Sequence, residues 1–94
     1  MHFSILLETS FEKIRGGALC ETEGYAEITS ATECQAAARK LGLQWKAAWY
    51  GNNHFPGCLL SEIGQKKVYF NLSPNPRRTD LNPNFAAICK GYYI

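Results

Sequence analysis

The clearest periodic pattern in the chain is helical and begins at Ser30. Small apolar residues recur three and four positions apart, at Cys34, Ala37, Ala38 and Leu41, which is the spacing of one helix face. Ser30 and Glu33 match a capping box, in which the hydroxyl and the carboxylate each satisfy an amide of the first turn. Gly42 provides a left-handed stop. The pattern predicts a helix over about residues 30–42.

A two-residue alternation follows this helix and is typical of a strand. Trp45, Ala47 and Trp49 alternate with Lys46, Ala48 and Tyr50, so both indoles are expected on the same core-facing side. Further short β-prone segments lie at residues 25–28, 59–60, 67–70 and 85–89. The chain is therefore predicted to be α+β: one main helix packed on an antiparallel sheet of three to five strands, in a single domain over residues 18–94.

Residues 1–17 form what we call the N-terminal arm, which ends at Gly16-Gly17. An apolar stripe runs along it through Phe3, Leu6, Leu7, Phe11 and Ile14. This spacing predicts an amphipathic helix, with an edge strand as the alternative. The stripe either packs on the domain or docks onto a partner protein or a membrane surface.

The four cysteines, at positions 20, 34, 58 and 89, contain no CxxC pair. An even number in a short chain favours two disulfides, for which three connectivities exist. We favour Cys34–Cys58 nested inside Cys20–Cys89, because the outer bond would tie the ends of the domain and the inner bond would pin the helix to the sheet.

Two disulfides predict an oxidising compartment, either extracellular or an organelle lumen. The first residues lack the features of a signal peptide, so we expect a targeting signal to have preceded Met1; reduced cysteines are the alternative.

Charge gives little indication of a partner. The net charge of +2 does not predict nucleic-acid binding, and no apolar run is long enough to span a membrane. Arg77 and Arg78 form a basic pair in the proline-rich loop, residues 71–84, which is predicted to be irregular and available for contacts. Asn71-Leu72-Ser73, at the start of this loop, is an N-glycosylation sequon.

Candidate chemistry is limited to one aromatic region, from Trp45 to Phe55. Trp49, Tyr50, Asn52, Asn53 and His54 combine aromatic rings with amides, as a saccharide site does, although the same rings also suit a core. A His54–Cys58 dyad or a zinc site would require free thiols, which the even cysteine count disfavours. We therefore expect no enzyme activity, no metal and no cofactor.

Several motifs carry a family resemblance that covers about three quarters of the chain. They are Ile28-Thr29-Ser30, Cys34-Gln35-Ala36-Ala37-Ala38, Leu41-Gly42, Phe55-Pro56-Gly57-Cys58, Val68-Tyr69-Phe70-Asn71 and Ile88-Cys89-Lys90. Together they resemble a cysteine-rich module of secreted or organelle-targeted proteins of algae and other protists. A looser similarity to PAN/apple-type domains implies protein or carbohydrate binding. The cysteine spacing departs from that family, so no binding residues are carried over from it.

These observations predict a non-catalytic interaction module, an accessory subunit that contacts a larger protein assembly through the N-terminal arm and the proline-rich loop. One specific version is a lumenal subunit of a photosynthetic complex. The alternative is a carbohydrate-binding module that uses the region from Trp45 to Phe55.

Overall fold

A computed structural model describes residues 8–93 of the chain. Its elements are β1 (Glu8–Lys13), a 3-10 turn (Glu21–Glu23), β2 (Ala26–Glu27), α1 (Ala31–Lys40), β3 (Gln44–Trp49), β4 (Gly57–Ser61), β5 (Lys67–Asn71) and β6 (Phe85–Tyr93). The single helix packs on the sheet formed by the strands. The predicted α+β fold is confirmed.

Both ends of α1 follow from local sequence. The Ser30 hydroxyl accepts a hydrogen bond from the Glu33 amide at 3.1 Å, as predicted. The Glu33 carboxylate, however, pairs with Lys90 of β6 at 3.0 Å, so this side chain ties the helix to the sheet. At the other end Gly42 has a φ of +70°, and the Leu43 amide donates to the Ala38 carbonyl at 2.8 Å. This six-to-one bond is that of a Schellman motif.

The sheet has six strands, in the order β1-β6-β4-β5-β3, with β2 also pairing with β6. β3 and β5 run parallel, and the other pairs are antiparallel. β4 and β5 form an antiparallel hairpin, and β3 lies at the edge of the sheet beside β5 rather than beside β4, which follows it in the chain. The sheet exceeds the expected three to five strands because the N-terminal arm contributes β1.

The N-terminal arm belongs to the sheet from Glu8 onward. β1 pairs with the last strand from Glu8↔Tyr93 to Lys13↔Ile88. The contact continues beyond β1, where the Ile14 amide donates to the Ala87 carbonyl at 3.1 Å. Of the two alternatives predicted for the arm, residues 8–13 therefore form the edge strand and not the amphipathic helix. Phe3, Leu6 and Leu7 of the predicted stripe lie outside the described residues.

The sheet buries apolar side chains on both faces. Residues that alternate along β4, β5 and β6 divide between the two faces, as the strand period requires. The helix-side core consists of Ile28, Cys34, Ala37, Ala38, Cys58, Leu60, Val68, Phe70 and Ile88. The opposite core consists of Ile14, Ala18, Cys20, Phe55, Leu59, Ala87 and Cys89. The opposite core is covered by loops rather than by a helix.

Each core contains one disulfide. Cys34–Cys58 joins α1 to β4 with a Cα–Cα distance of 5.4 Å, and Cys20–Cys89 joins the segment after β1 to β6 with a Cα–Cα distance of 5.6 Å. The favoured nested connectivity is confirmed, and none of the four cysteines is free.

Candidate functional site: an aromatic groove on the helix-free face

One irregularity in β3 creates the site. Trp45 pairs with Val68 and Ala47 pairs with Tyr69, so β3 advances two residues while β5 advances one. Such a bulge reverses the side-chain alternation beyond it. Trp45 packs against the helix-side core, whereas Trp49 packs against the opposite core. The prediction that both indoles share one face is therefore wrong.

The reversal brings Trp49 into a cluster of rings. Its centroid lies 5.4 Å from that of Tyr69 and 5.6 Å from that of His54, and His54 lies 5.3 Å from Phe85. The rings are tilted or edge-on to one another, with interplanar angles of 57–81°. Together with Ser61 they enclose an open depression of about 250 Å³. We call this set, Trp49, His54, Ser61, Tyr69 and Phe85, the aromatic groove.

The loop that carries His54 is packed closely against Trp49. A Cβ added at buried Gly51 would lie 2.8 Å from the Trp49 indole and 3.1 Å from the His54 Cβ. Both distances are shorter than ordinary van der Waals contact. Only glycine therefore lets the loop turn at this point without displacing the ring.

Asn71, at the end of β5, holds the same loop in place through hydrogen bonds to its backbone. Its Nδ2 donates to the carbonyls of Gly51 and Phe55, each at 2.7 Å, and its Oδ1 accepts from the amides of Gly51 and Ser73, each at 2.9 Å. The residue is only 5% exposed. Two buried carbonyls and two amides are thereby satisfied by one side chain, which fixes the position of His54.

The Asn71 side chain of the N-glycosylation sequon is thus engaged within the domain. A glycan would be attached to Nδ2, and that atom is buried and engaged with two loop carbonyls. In the folded chain the sequon has a structural role.

The groove contains only part of the predicted saccharide site. Trp49 and His54 line it, whereas Tyr50, Asn52 and Asn53 do not. Tyr50 is 73% exposed, and Asn52 accepts a hydrogen bond from the Ser73 hydroxyl at 2.7 Å. Ser61, Tyr69 and Phe85 were not among the site residues predicted from the sequence. Their alternation with buried residues in β4, β5 and β6 places them on the helix-free face, but no local pattern connects the three strands.

The predicted partner-binding residues that the structure describes have contacts within the domain. Ile14 is buried in the opposite core, and Phe11 packs against the helix-side core, so neither is presented for docking. Arg78 pairs with Glu27 at 3.1 Å. Arg77 donates through Nε to the Thr79 carbonyl at 2.7 Å, and its backbone amide donates to the His54 carbonyl at 2.9 Å. The Arg78 side chain and the Arg77 backbone amide therefore connect the proline-rich loop to the rest of the domain.

A second, larger depression of about 380 Å³ lies between the proline-rich loop and residues 27–29. Glu27 and Arg78, two of its lining residues, pair with each other, and its Asn71 and Ser73 side chains are bonded within the domain. Because these polar groups already have partners, the smaller aromatic groove is the better candidate for ligand binding.

Within residues 8–93, no group of three His, Cys, Asp or Glu side chains is placed to hold a metal ion. None of the helices in that part of the chain is long and apolar enough to cross a membrane.

Comparison with known proteins identifies no relatives: no family model, curated protein or solved structure matches the chain.

Proposed function

We propose that the chain is a non-catalytic saccharide-binding module and that the aromatic groove is its binding site. The observation that carries this proposal is the group of four half-buried rings around an open depression on the helix-free face. Saccharides expose apolar C–H faces that pack on aromatic rings, and their hydroxyls bond to nearby polar groups. The polar side chains in the groove are the imidazole of His54, the phenol of Tyr69 and the hydroxyl of Ser61. The Ser61 hydroxyl donates to the Ile63 carbonyl at 3.2 Å and can still accept a hydrogen bond from a ligand.

The size of the groove limits the ligand. Sites for drug-sized molecules occupy roughly 300–1,000 Å³, and the groove, at about 250 Å³, is smaller. The tilted rings form walls rather than a flat platform. Both features suit one sugar ring, such as the end of a chain or a single residue within it.

The composition of the groove favours binding over cleavage. Glycoside hydrolysis generally uses two carboxyl groups that flank the scissile bond. The described side chains that line the groove include an imidazole, a hydroxyl and a phenol, but no carboxylate.

The proposal is tested by replacing the ring at the centre of the cluster. Trp49→Leu keeps apolar bulk but removes the indole face, and we expect saccharide affinity to fall at least about tenfold in isothermal titration, because stacking on an aromatic ring is lost. Tyr50→Ala is the matched control, since Tyr50 is adjacent in sequence and lies outside the groove. A glycan array identifies the ligand for the titration.

Two results would count against the proposal. One is an array without hits for the wild-type protein. The other is a tenfold loss of affinity in Tyr50→Ala together with no loss in Trp49→Leu, which would place the binding site at Tyr50, just after β3, and not in the groove. Circular dichroism of both variants checks that the fold is retained.

Two intramolecular disulfides are compatible with an oxidising compartment, and we extend this to a secreted or lumenal protein. Such a location brings a module into contact with extracellular or lumenal saccharides.

The second candidate is the protein-interaction module of a larger assembly. It is favoured by the position of β1, which has β6 on one side and no strand on the other among the described residues. An open strand edge can pair with a strand of another protein. Deleting residues 1–7, which leaves β1 in place, tests whether the start of the arm contributes; unchanged partner retention in a pull-down would exclude that contribution.

A further inference from the structure

The basic residues of the chain differ in how their charges are compensated. Five of the ten have a carboxylate partner: Lys13, Arg15, Arg77, Arg78 and Lys90. Four others, Arg39, Lys40, Lys46 and Lys66, are exposed to solvent. Lys67 is different. Within the described residues, it is the one lysine or arginine that is half-buried and has no carboxylate in ion-pairing distance.

Lys67 lies on the face of the sheet that carries the aromatic groove. It precedes Tyr69 by two residues in β5, and residues two apart in a strand share a face. The antiparallel register ends at Leu60↔Val68, and one further step places Lys67 across from Ser61. Directly opposite residues in antiparallel strands have Cβ atoms about 4.5–5.5 Å apart. Lys67 is thus a neighbour of two groove residues.

The carboxylate next to Ser61 in sequence does not offset this charge. Glu62 follows Ser61, and its carboxylate is paired with Lys13 at 2.7 Å. The Ser61 side of the groove therefore has an uncompensated positive charge beside its aromatic walls. A lysine stem packs along apolar surface while its ammonium stays available for an anion.

We propose that the ligand of the aromatic groove is an acidic saccharide, one whose sugar ring carries a carboxylate or a sulfate ester, and that Lys67 pairs with that anionic group. This inference rests on the saccharide-binding function proposed above and adds the charge of the ligand to it. The rings hold the apolar face of the sugar, and Lys67 selects the charged form over the neutral one.

The experiment compares ligands that differ only in charge. The probes are an oligogalacturonide and its methyl ester for the carboxylate, and a sulfated galactan oligosaccharide and its desulfated form for the sulfate. Titration calorimetry at low and high NaCl measures each affinity. We expect the charged member of at least one pair to bind about fivefold more tightly than its neutral form, and added salt to reduce that difference.

Variants assign the effect to one side chain. Lys67→Gln should reduce the affinity for the charged probe to that for the neutral probe without changing the neutral affinity. Lys67→Arg, which keeps the charge, should retain most of the preference. Lys40→Gln is the control, because Lys40 is an exposed lysine at the end of α1, and it should leave both affinities unchanged.

The outcomes separate this inference from the proposed function. Equal binding of charged and neutral forms by the wild-type protein, or a preference that survives in Lys67→Gln, overturns the assignment of an acidic ligand and leaves saccharide binding intact. Absence of binding to every saccharide overturns both.

Discussion

At the scale of single residues, Asn71 determines the shape of the candidate site. Its side chain satisfies buried backbone groups of Gly51, Phe55 and Ser73. Alanine at this position would remove the side-chain donor of the Phe55 carbonyl and the side-chain acceptor of the Gly51 and Ser73 amides, whereas the Gly51 carbonyl would still accept from the His54 amide at 3.2 Å. Each unsatisfied buried group costs about 1–3 kcal/mol. We expect Asn71→Ala to lower the free energy of unfolding by about 2–4 kcal/mol in urea denaturation.

Two further variants identify the cause of this loss. Asn71→Asp keeps an acceptor for the two amides but removes both donors, so a comparable loss is expected. Asn75→Ala, at an exposed position of the proline-rich loop, should stay within about 0.5 kcal/mol of the wild type. If Asn71→Ala were as stable as Asn75→Ala, the hydrogen bonds of Asn71 would not hold the loop.

The contrast between Ser30 and Asn71 explains which residue roles the sequence reveals. Ser30 bonds to an amide three residues away, so its role is contained in a short motif. Asn71 bonds to groups 16 and 20 residues away, and its local context instead forms a sequon. Likewise, Tyr69 and Phe85 meet Trp49 and His54 only through the strand order, which no segment of sequence contains.

At the scale of elements, the bulge in β3 makes a prediction about deletions. Lys46 is the extra residue between the pairs Trp45↔Val68 and Ala47↔Tyr69. Deleting it gives a regular strand in which Trp45 still faces α1 and Trp49 still faces the groove. We therefore expect the protein lacking Lys46 to fold and to retain its ring contacts, as measured by indole fluorescence and near-ultraviolet circular dichroism.

Deletion of Ala48 is the matched comparison, because it also shortens β3 by one residue. It would place Trp49 opposite Phe70, on the helix face, and remove the indole from the groove. We expect this variant to be strongly destabilised and to lose saccharide binding. Equal behaviour of the two deletion variants would show that the bulge does not set the face of Trp49.

The helix and the strands differ in how well they are predicted, for the same physical reason. The sequence signals that predict α1 all lie in or next to the helix itself: its cap, its apolar face and Gly42. The predicted bounds, about 30–42, are therefore close to the observed Ala31–Lys40. A strand depends on a distant partner. Residues 8–13 have a spacing compatible with a helix, but β6 offers a free edge and pairs with all six. The alternation of residues in the sequence also does not show the bulge at Lys46, which places Trp49 on the opposite face of the sheet from Trp45.

At the scale of the whole molecule, the two disulfides stabilise different faces. Cys34–Cys58 closes a separation of 24 residues and Cys20–Cys89 one of 69. The chain-entropy model gives contributions of about 3.5 and about 4.4 kcal/mol, each a large part of the roughly 5–15 kcal/mol that stabilises a domain. The compositional prediction of two disulfides succeeded because a core this small gains much from cross-links.

The position of each bond predicts a different consequence of its loss. Cys20 and Cys89 belong to the opposite core, against which Trp49, Tyr69 and Phe85 pack, whereas Cys34 and Cys58 lie under α1. The Cys20→Ala/Cys89→Ala pair should be the more destabilising and should disturb the aromatic groove. The Cys34→Ala/Cys58→Ala pair should loosen α1 and leave the near-ultraviolet signal of the groove largely intact.

Urea denaturation followed separately by far- and near-ultraviolet circular dichroism distinguishes the two variants. If both variants lost the groove signal together with the helix signal, the two cores would unfold as one cooperative unit and the assignment of each bond to its own face would be wrong.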